Sequence, residues 1–121
     1  GLEEAGVTLD DLSLVETHDC FTIAELIQYE AMGLAAPGKG AEVLADGTVY
    51  KDGKLPVNPS GGLKAKGHPV GATGVSMHVM AARQLMNEAD EMQVKDAKLA
   101  GIFNMGGAAV ANYLSILERV K

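Results

Sequence analysis

The spacing of apolar residues along the chain alternates between a strand period and a helix period, and this predicts the order of the elements. A compact apolar run predicts a short buried strand over Leu12–Thr17. Apolar residues at every third or fourth position predict helices over Phe21–Met32 and Gly74–Asn87. In the second helix these residues are Val75, Val79, Ala82 and Met86. Two late apolar runs, Leu99–Phe103 and Ala108–Leu117, predict strands joined by a turn.

The segment between the two helices, residues 34–67, lacks such a period and carries seven glycines. It predicts an extended excursion with a small hairpin in residues 46–53, followed by a short strand over Leu55–Asn58. Residues Gly1–Ala5 indicate the end of a helix. The resulting order, β-α-loop-β-α-β-β, is typical of an α/β layer architecture with a mixed sheet.

Composition and charge narrow the class of protein. The 121 residues are 47% apolar, which suits one domain with its own core. A net charge of −6 argues against a nucleic-acid partner. No apolar run approaches the length of a membrane span and no signal peptide is visible, so we expect a cytoplasmic protein. Since the chain begins at Gly1 without a methionine, we expect its true N-terminus to be missing.

Four lysines gather near the glycine-flanked loop that precedes the second helix: Lys51, Lys54, Lys64 and Lys66. One interpretation is a solvated loop in which the ammonium groups only face water. The other is a positive surface that attracts an anionic substrate. The sequence leaves both interpretations open.

The only cysteine, Cys20, stands directly before the first predicted helix, two residues after His18. A thiol at a helix N-terminus is favoured as thiolate, so Cys20 is a candidate nucleophile or proton shuttle. The competing interpretation is a buried free cysteine that only fills the core. A single cysteine also excludes an internal disulfide and a zinc site built from several cysteines.

His68 lies in a loop between Gly67 and Pro69, directly before the second helix. Pro69 restricts His68 to an extended backbone, and Gly67 and Gly71 let the chain turn tightly. A neutral imidazole held there can donate to a substrate carbonyl oxygen or take a proton from a nucleophile. The alternative is an ordinary loop histidine whose hydrogen bonds are satisfied locally.

The predicted turn Asn104–Gly107 is a third candidate, since a tight turn can present backbone N–H groups to an oxyanion. An ordinary hairpin is the alternative. The remaining histidine, His78, falls in mid-helix and is expected to be a surface or packing residue. His18, Cys20 and His68 have no apparent fourth ligand, so no metal site is predicted.

Three motifs in this order resemble the C-terminal half of thiolases. They are His18–Phe21, which reads His-Asp-Cys-Phe; Asn58–Gly74, which contains Gly-His-Pro; and Asn104–Gly107, which reads Asn-Met-Gly-Gly. The His-Asp-Cys-Phe form is similar to the sterol-carrier-protein-type and archaeal acetoacetyl-CoA thiolase branch. Most other thiolases have Asn-Glu-Ala-Phe there. The resemblance covers nearly the whole chain.

The resemblance implies a fold, a reaction and partners. Residues 1–121 would be one thiolase C-terminal domain, β-α-β-α-β-β, with a five-stranded mixed sheet and layered helices. The complete enzymes are homodimers or homotetramers that condense acyl-CoA thioesters or cleave 3-ketoacyl-CoA. Coenzyme A and its thioesters would be the substrates, and no covalently bound cofactor is implied.

The same resemblance implies roles for individual residues. His68 would line the oxyanion hole of the thioester and help to activate the nucleophile. Cys20 would be the acid/base that moves the α-proton, and His18 would replace the asparagine that usually helps to build the oxyanion hole. Backbone N–H groups near Met105 and Gly106 would form a second oxyanion hole for the acyl-enzyme.

The chain also departs from the family pattern in two places. Other thiolases have Cys-x-Gly, and this branch often has His-Asn, where the chain has Phe103-Asn104, so we expect the pocket to lack one polar group. The family nucleophile belongs to a Cys-x-Ser motif of the N-terminal half, and Cys20 belongs to another motif. We therefore expect the chain alone to be inactive and to need that missing half as its partner.

Two alternatives to a thiolase remain open. A thiolase-like aldolase or lyase would cleave CoA thioesters without an acyl-enzyme, and Phe103 motivates this hypothesis. A non-catalytic lipid-transfer or acyl-CoA-binding protein is the second alternative.

Overall fold

The chain forms a mixed β-sheet with helices against both of its faces. The computed structural model describes residues 1–120, and Lys121, the last residue of the expected domain, lies outside the described residues. The elements in chain order are α1 (Leu2–Ala5), β1 (Leu14–Thr17), α2 (Thr22–Met32), α3 (Gly40–Ala45), α4 (Gly62–Lys66), α5 (Thr73–Leu85), β2 (Leu99–Gly106) and β3 (Ala111–Glu118). None of the helices within residues 1–120 has the length and apolar character needed to cross a membrane.

The sheet is mixed, as the α/β prediction requires. Its strands lie in the order β1-β2-β3, with β1 parallel to β2 and β2 antiparallel to β3. Leu14 of β1 pairs with Ala100 of β2, and Leu99 of β2 pairs with Glu118 of β3. The predicted α/β class with a mixed sheet is therefore confirmed.

The number of strands differs from the five implied by the resemblance, because the sheet has three within the described residues. The predicted strand Leu55–Asn58 makes one parallel bridge, from Val57 to Val15. Val15 N–H donates to Pro56 O at 2.9 Å, and Asn58 N–H donates to Val15 O at 2.7 Å. Pairing ends there because Pro56 has no N–H and because Asn58, with φ 51°, turns the chain away from β1.

Side chains alternate along β1 and so build one apolar core on each face of the sheet. Leu14 enters the core beneath α5, together with Met77 and Ile102. Val15 enters the opposite core, with Tyr29 of α2 and Val43 of α3. The sheet is thus the middle layer, and its strand ends are held from both sides.

Helix α5 agrees with the prediction for Gly74–Asn87 to within two residues at each end, but its predicted apolar stripe faces outward. Val75 is 66% exposed, Val79 52% and Met86 56%. The buried apolar side chains of α5 are a different set: Met77, Ala81 and Leu85. Helix α5 is therefore apolar on two faces and buries one of them within this chain.

The predicted hairpin in residues 46–53 is a loop instead. Helix α3 ends at Ala45, and the Asp46 carboxylate then accepts the N–H of Thr48 at 2.9 Å and its hydroxyl at 2.6 Å. Such side-chain turns compete with strand pairing. The loop closes through a bond from Leu55 N–H to Thr48 O at 3.0 Å.

The late hairpin lies further along the chain than the predicted turn Asn104–Gly107. Met105 still pairs with Asn112, so β2 continues to Gly106 and the turn occupies residues 107–110. Three successive positive φ angles shape this turn, 60° at Gly107, 53° at Ala108 and 68° at Ala109. Met105 and Gly106 are therefore held by the sheet.

Two buried carboxylates, Glu16 in β1 and Asp19 in the loop after it, hold α4 in place, and we call this pair the carboxylate clamp. The Asp19 carboxylate accepts the N–H groups of Leu63 at 2.7 Å and Lys64 at 3.4 Å. The Glu16 carboxylate accepts the Ser60 hydroxyl at 2.6 Å and the Ser60 N–H at 3.3 Å. Since a buried carboxylate is costly unless it is paired, α4 and the turn before it must stay beside β1.

The fit of the carboxylate clamp can be tested at Gly62, which has φ 63° and where a Cβ would collide with the Asp19 carboxylate. Gly62→Ala is expected to lower the free energy of unfolding by about 2–4 kcal/mol, from backbone strain plus the collision. The control is Gly33→Ala, at φ 86° with open space around the position, where strain alone costs about 1–2 kcal/mol. Equal losses of both variants in urea denaturation would contradict a tight clamp.

Candidate functional site

A cleft of about 990 Å³ lies between the loop after β1, the loop before α5 and the end of β2. Its lining includes every residue to which the resemblance gives a role: His18, Cys20, His68, Met105 and Gly106. Apolar side chains of Phe21, Val70 and Val75 line much of the rest. The structure thus brings the three sequence motifs into one site, and the chemical roles of the five residues stay predictions.

His18 is buried and held in a fixed orientation. Its Nδ1–H donates to the Oδ1 of Asn104 at 2.7 Å, and its backbone carbonyl accepts the side-chain N–H of Gln28 at 2.8 Å. Because Oδ1 only accepts, this contact assigns the proton of a neutral His18 to Nδ1 and leaves the lone pair on Nε2. The ring packs edge-on against His68, with the centroids 4.8 Å apart.

His68 is exposed, and a buried threonine fixes the state of its ring. The Thr73 hydroxyl donates to Pro69 O at 3.1 Å, so it accepts from His68 Nδ1 at 2.9 Å. A neutral His68 therefore also carries its lone pair on Nε2. The sequence predicted that His68 takes a proton from a nucleophile or donates one to a carbonyl oxygen. With a lone pair on Nε2, the neutral ring can take a proton there directly. It can donate from Nε2 only after it has taken one.

Cys20 contributes a half-buried free thiol to the cleft. Helix α2 begins at Thr22 with Phe21 as its N-cap, so Cys20 lies at the N-terminal end of the helix, as predicted. Phe21 makes no side-chain capping bond, and no capping side chain therefore offsets the positive end of α2 beside the thiol. The thiol is placed to exchange a proton with a molecule in the cleft.

Phe103 and Asn104 lie on opposite faces of β2, because side chains alternate along a strand. Phe103 lines a separate apolar cavity of about 310 Å³, and Asn104 lines the cleft. The expectation that Phe103 removes a polar group from the pocket is therefore wrong. Asn104 occupies the cleft wall instead, and Gly74 makes room for it, since a Cβ there would lie 2.7 Å from the Asn104 amide nitrogen.

The sequence predicted no role for the side chains of Asn104 and Thr73 or for the carboxylate clamp, although all of them position the predicted residues. For Asn104 a signal existed: it continues the every-second-residue series of Ala100 and Ile102, whose side chains are buried on the α5 side. A polar residue at the end of such a series indicates the rim of a site.

The four lysines near the loop are paired within the chain. Lys51 donates to the backbone carbonyl of Glu91 at 3.1 Å, and Lys54 pairs with Asp10 at 3.1 Å. The ammonium of Lys64 binds Glu25 and Asp19, and that of Lys66 binds Ser60 and Glu16. None of these lysines lines the cleft. Lys51 and Lys54 face water, as the solvated-loop interpretation expects, whereas Lys64 and Lys66 bind carboxylates beside β1.

His78 lines the cleft as well, but both of its ring nitrogens are bonded within the chain, as expected of a packing residue. Its Nδ1–H donates to Gly74 O at 2.7 Å and its Nε2 accepts the Ser115 hydroxyl at 3.0 Å, which joins α5 to β3. Within residues 1–120, no group of three or more His, Cys, Asp or Glu side chains is arranged to hold a metal ion.

Burial raises the pKa of Glu16, which lies completely inside the protein. The bonds from Ser60 and the charge of Lys66 act in the opposite direction but do not outweigh the loss of hydration. The carboxylate clamp therefore contains an ionisable group whose proton is held more tightly in the folded chain than in the unfolded chain.

Comparison with known proteins gives a family for the chain. A family model described as "Thiolase C-terminal domain-like" matches residues 1–119. An acetyl-CoA acetyltransferase of Methanothermobacter thermautotrophicus is 42% identical over 95% of this chain and 30% of its own length. Human sterol carrier protein 2 is 46% identical over 89% of this chain and 20% of its own length. A benzoylsuccinyl-CoA thiolase subunit of Thauera aromatica is 38% identical over 87% of this chain and 27% of its own length.

The chain thus spans between a fifth and a third of the length of these relatives. A solved structure, the Ltp2-ChsH2(DUF35) aldolase, superposes on 99% of this chain and 30% of its own, with a TM-score of 0.82 and 23% identity. At that identity the likeness establishes the fold alone.

Replacing Asn104 tests the orientation of His18. Asn104→Leu removes the acceptor of the buried Nδ1–H, so we expect histidine ¹⁵N spectra to lose the Nδ1–H pattern of His18. The free energy of unfolding should fall by about 1–3 kcal/mol. The control, Asn112→Leu in β3, removes only an exposed bond to Ala109 O, so it should leave the His18 pattern unchanged and lower the free energy of unfolding by less than Asn104→Leu does. An unchanged His18 pattern in Asn104→Leu would contradict the assignment.

The raised pKa of Glu16 predicts a pH dependence of stability. The contribution of Glu16 is fully present below the ordinary glutamate pKa and is lost as pH rises through the raised value. In urea denaturation over about pH 4–8, the stability difference between the wild type and Glu16→Gln should therefore decline with rising pH. Asp46→Asn is the control with the opposite sign. Because bonds from Thr48 lower the pKa of Asp46, the stability difference between the wild type and Asp46→Asn should not decline with rising pH. A Glu16 difference that grows with pH would refute the prediction.

Proposed function

The chain belongs to the thiolase C-terminal domain-like family, and from this premise we propose that it is the C-terminal catalytic half of an acyl-CoA thiolase. The reaction is Claisen condensation of acyl-CoA thioesters, as in an acetyl-CoA acetyltransferase, or the reverse, thiolytic cleavage of 3-ketoacyl-CoA. The observation that carries the proposal is the cleft in which His18, Cys20 and His68 meet the end of β2.

His68 acts on the nucleophile and then on the thioester. In cleavage, a thiol from the other half of the enzyme attacks C3 of the 3-ketoacyl-CoA, and His68 accepts its proton at Nε2. The bond to Thr73 supports this step because it leaves the Nε2 lone pair free to accept. The Nε2–H formed in this way then donates to an oxyanion. A neutral His18 carries a lone pair on Nε2, so its own part in the oxyanion hole requires a proton on that nitrogen.

Cys20 acts on C2, the α-carbon of the thioester. When the C2–C3 bond breaks, its electron pair goes to C2, and the Cys20 thiol delivers a proton there to release acetyl-CoA, while the shortened acyl group stays on the nucleophile. The thiolate of Cys20 recovers its proton from the thiol of coenzyme A as that thiol attacks the acyl-enzyme. The nucleophile then leaves as a thiolate that takes back the proton held by His68, and the shortened acyl-CoA is released. Backbone N–H groups near Met105 and Gly106, at the sheet-held end of β2, support the oxyanion of this second step.

The proposal requires a partner half that supplies the nucleophile, because Cys20 is the only cysteine in the chain and is already assigned. The exposed stripe of Val75, Val79 and Met86 on α5 supports such a partner, since an apolar helix face of this kind is usually covered. Residues 1–121 alone would be inactive. The complete enzyme would be a homodimer or homotetramer that takes coenzyme A thioesters as substrates, without a covalently bound cofactor.

The two alternatives lead to different products. An aldolase or lyase would release a free aldehyde or ketone without consuming coenzyme A as acceptor. Phe103 no longer motivates the aldolase or lyase hypothesis, because its side chain lines the cavity on the other side of the sheet from the cleft. A lipid-transfer or acyl-CoA-binding protein would bind the thioester without turnover.

The acid/base role of Cys20 is tested in the complete protein with acetoacetyl-CoA and coenzyme A. Cys20→Ala is expected to lower kcat by about 10²–10⁴-fold, because the proton at C2 then has no donor. The control is Ser76→Ala, a small substitution in α5 outside the cleft lining, which should leave kcat unchanged. Unchanged turnover in Cys20→Ala overturns the assignment. Product analysis of the wild type separates thiolysis from aldehyde or ketone release.

A further inference from the structure

The loop that carries His68 has few anchors of its own. Its side chains are exposed from Gly67 to Ala72, and Val70 is 96% exposed. The loop begins with Gly67 N–H donating to Leu63 O at 2.8 Å, and it ends in the bonds of Pro69 with the start of α5. Within residues 1–120, the one direct bond of the His68 ring is to the hydroxyl of Thr73, the first residue of α5, at 2.9 Å. The position of His68 is therefore inherited from the two helices that the loop connects.

Helix α5 is fixed by its core side chains, but α4 has only five residues and a short helix is not stable by itself. Its N-terminal end is bound by the Asp19 half of the carboxylate clamp. At its other end, Lys66, the last residue before Gly67, extends its ammonium to the Ser60 hydroxyl at 2.5 Å and to the Glu16 carboxylate at 3.5 Å. The Lys66 side chain is 22% exposed.

This arrangement places a single ionic link at the point where α4 gives way to the loop. The Ser60 hydroxyl donates to Glu16 at 2.6 Å and accepts from Lys66, so the three groups form a continuous chain from the buried strand β1 to the base of the loop. A charge-assisted contact with a partner that is completely buried is well shielded from water and holds its geometry more firmly than a surface pair.

We propose that Lys66 is a positioning residue for His68: its bond to Ser60 and Glu16 fixes the direction in which the loop leaves α4, and so holds the His68 ring against the His18 ring. The effect of Lys66 on catalysis rests on the proposed function. Its effect on the position of the His68 ring is independent of that function. Lys66 acts through the loop and touches no substrate, since it lies outside the cleft lining.

Lys64 provides a matched control on the same helix. Its ammonium binds Glu25 and Asp19, and Asp19 keeps its backbone bonds to α4 when the Lys64 side chain is shortened or neutralised. Lys64→Met and Lys66→Met therefore make the same chemical change two residues apart, and only Lys66→Met breaks the link at the base of the loop.

The test measures the contact between the two imidazoles in the full 121-residue chain, by the nuclear Overhauser cross-peak between the His18 and His68 ring protons. The wild type should show this cross-peak, because the ring centroids lie 4.8 Å apart. We expect Lys66→Met to lose it, and Lys66→Arg and Lys64→Met to keep it. A cross-peak that persists in Lys66→Met overturns the proposal, and so does its loss in both methionine variants.

Should Lys66→Met not fold, Lys66→Ala removes the same ammonium without adding bulk, and an unchanged cross-peak in that variant also overturns the proposal. In the complete protein, Lys66→Met should lower kcat by about 10–100-fold with little effect on KM, and Lys66→Arg should restore it. If the proposed function is wrong, the complete protein will show no thiolysis, but Lys66→Met will still lose the cross-peak. The two failures are therefore distinguishable.

Discussion

The site depends on the need of two buried carboxylates for hydrogen-bond donors. Glu16 and Asp19 lie within four residues of each other and are almost entirely removed from water, where an unpaired charge is prohibitively costly. Their donors come from a segment more than forty residues further along the chain. The same short stretch of β1 and its following loop carries His18 and Cys20, so the pairing that satisfies the carboxylates also brings the Gly-His-Pro loop to the thiol.

Hydrogen bonding also determines what the two imidazoles can do. Asn104 and Thr73 each accept from an Nδ1–H, and both rings therefore carry their lone pairs on Nε2 when neutral. Among residues 1–120, three imidazoles and a thiol line the cleft; both nitrogens of His78 are bonded to Gly74 and Ser115, which leaves His18 and His68 as the two with an open Nε2.

Much of the fold could be predicted from local sequence, because β1, α2, α5 and the last two strands follow clear hydrophobic periods. Helix α4 could not, since Gly61 and Gly62 adopt positive φ and the helix is held by Asp19 from outside the segment. The motifs identified the residues of the cleft, but motif position alone assigned Phe103 to the wrong side. Only the pleat of β2, which pairing with β1 and β3 determines, shows that Asn104 is the residue in the cleft.

Because side chains alternate along β2, a substitution in this strand and a change in its length have different effects on the cleft. A substitution at Phe103 alters an apolar cavity on the far side of the sheet, so this position can vary in size while the polar wall of the cleft keeps its composition. Insertion of one residue in β2 before this point would exchange the two faces and bring the Phe103 ring beside His18 in place of the amide, whereas deletion of one residue would bring the Met105 side chain there. In this strand, a change in length would therefore alter the chemistry of the cleft more than most changes in residue type.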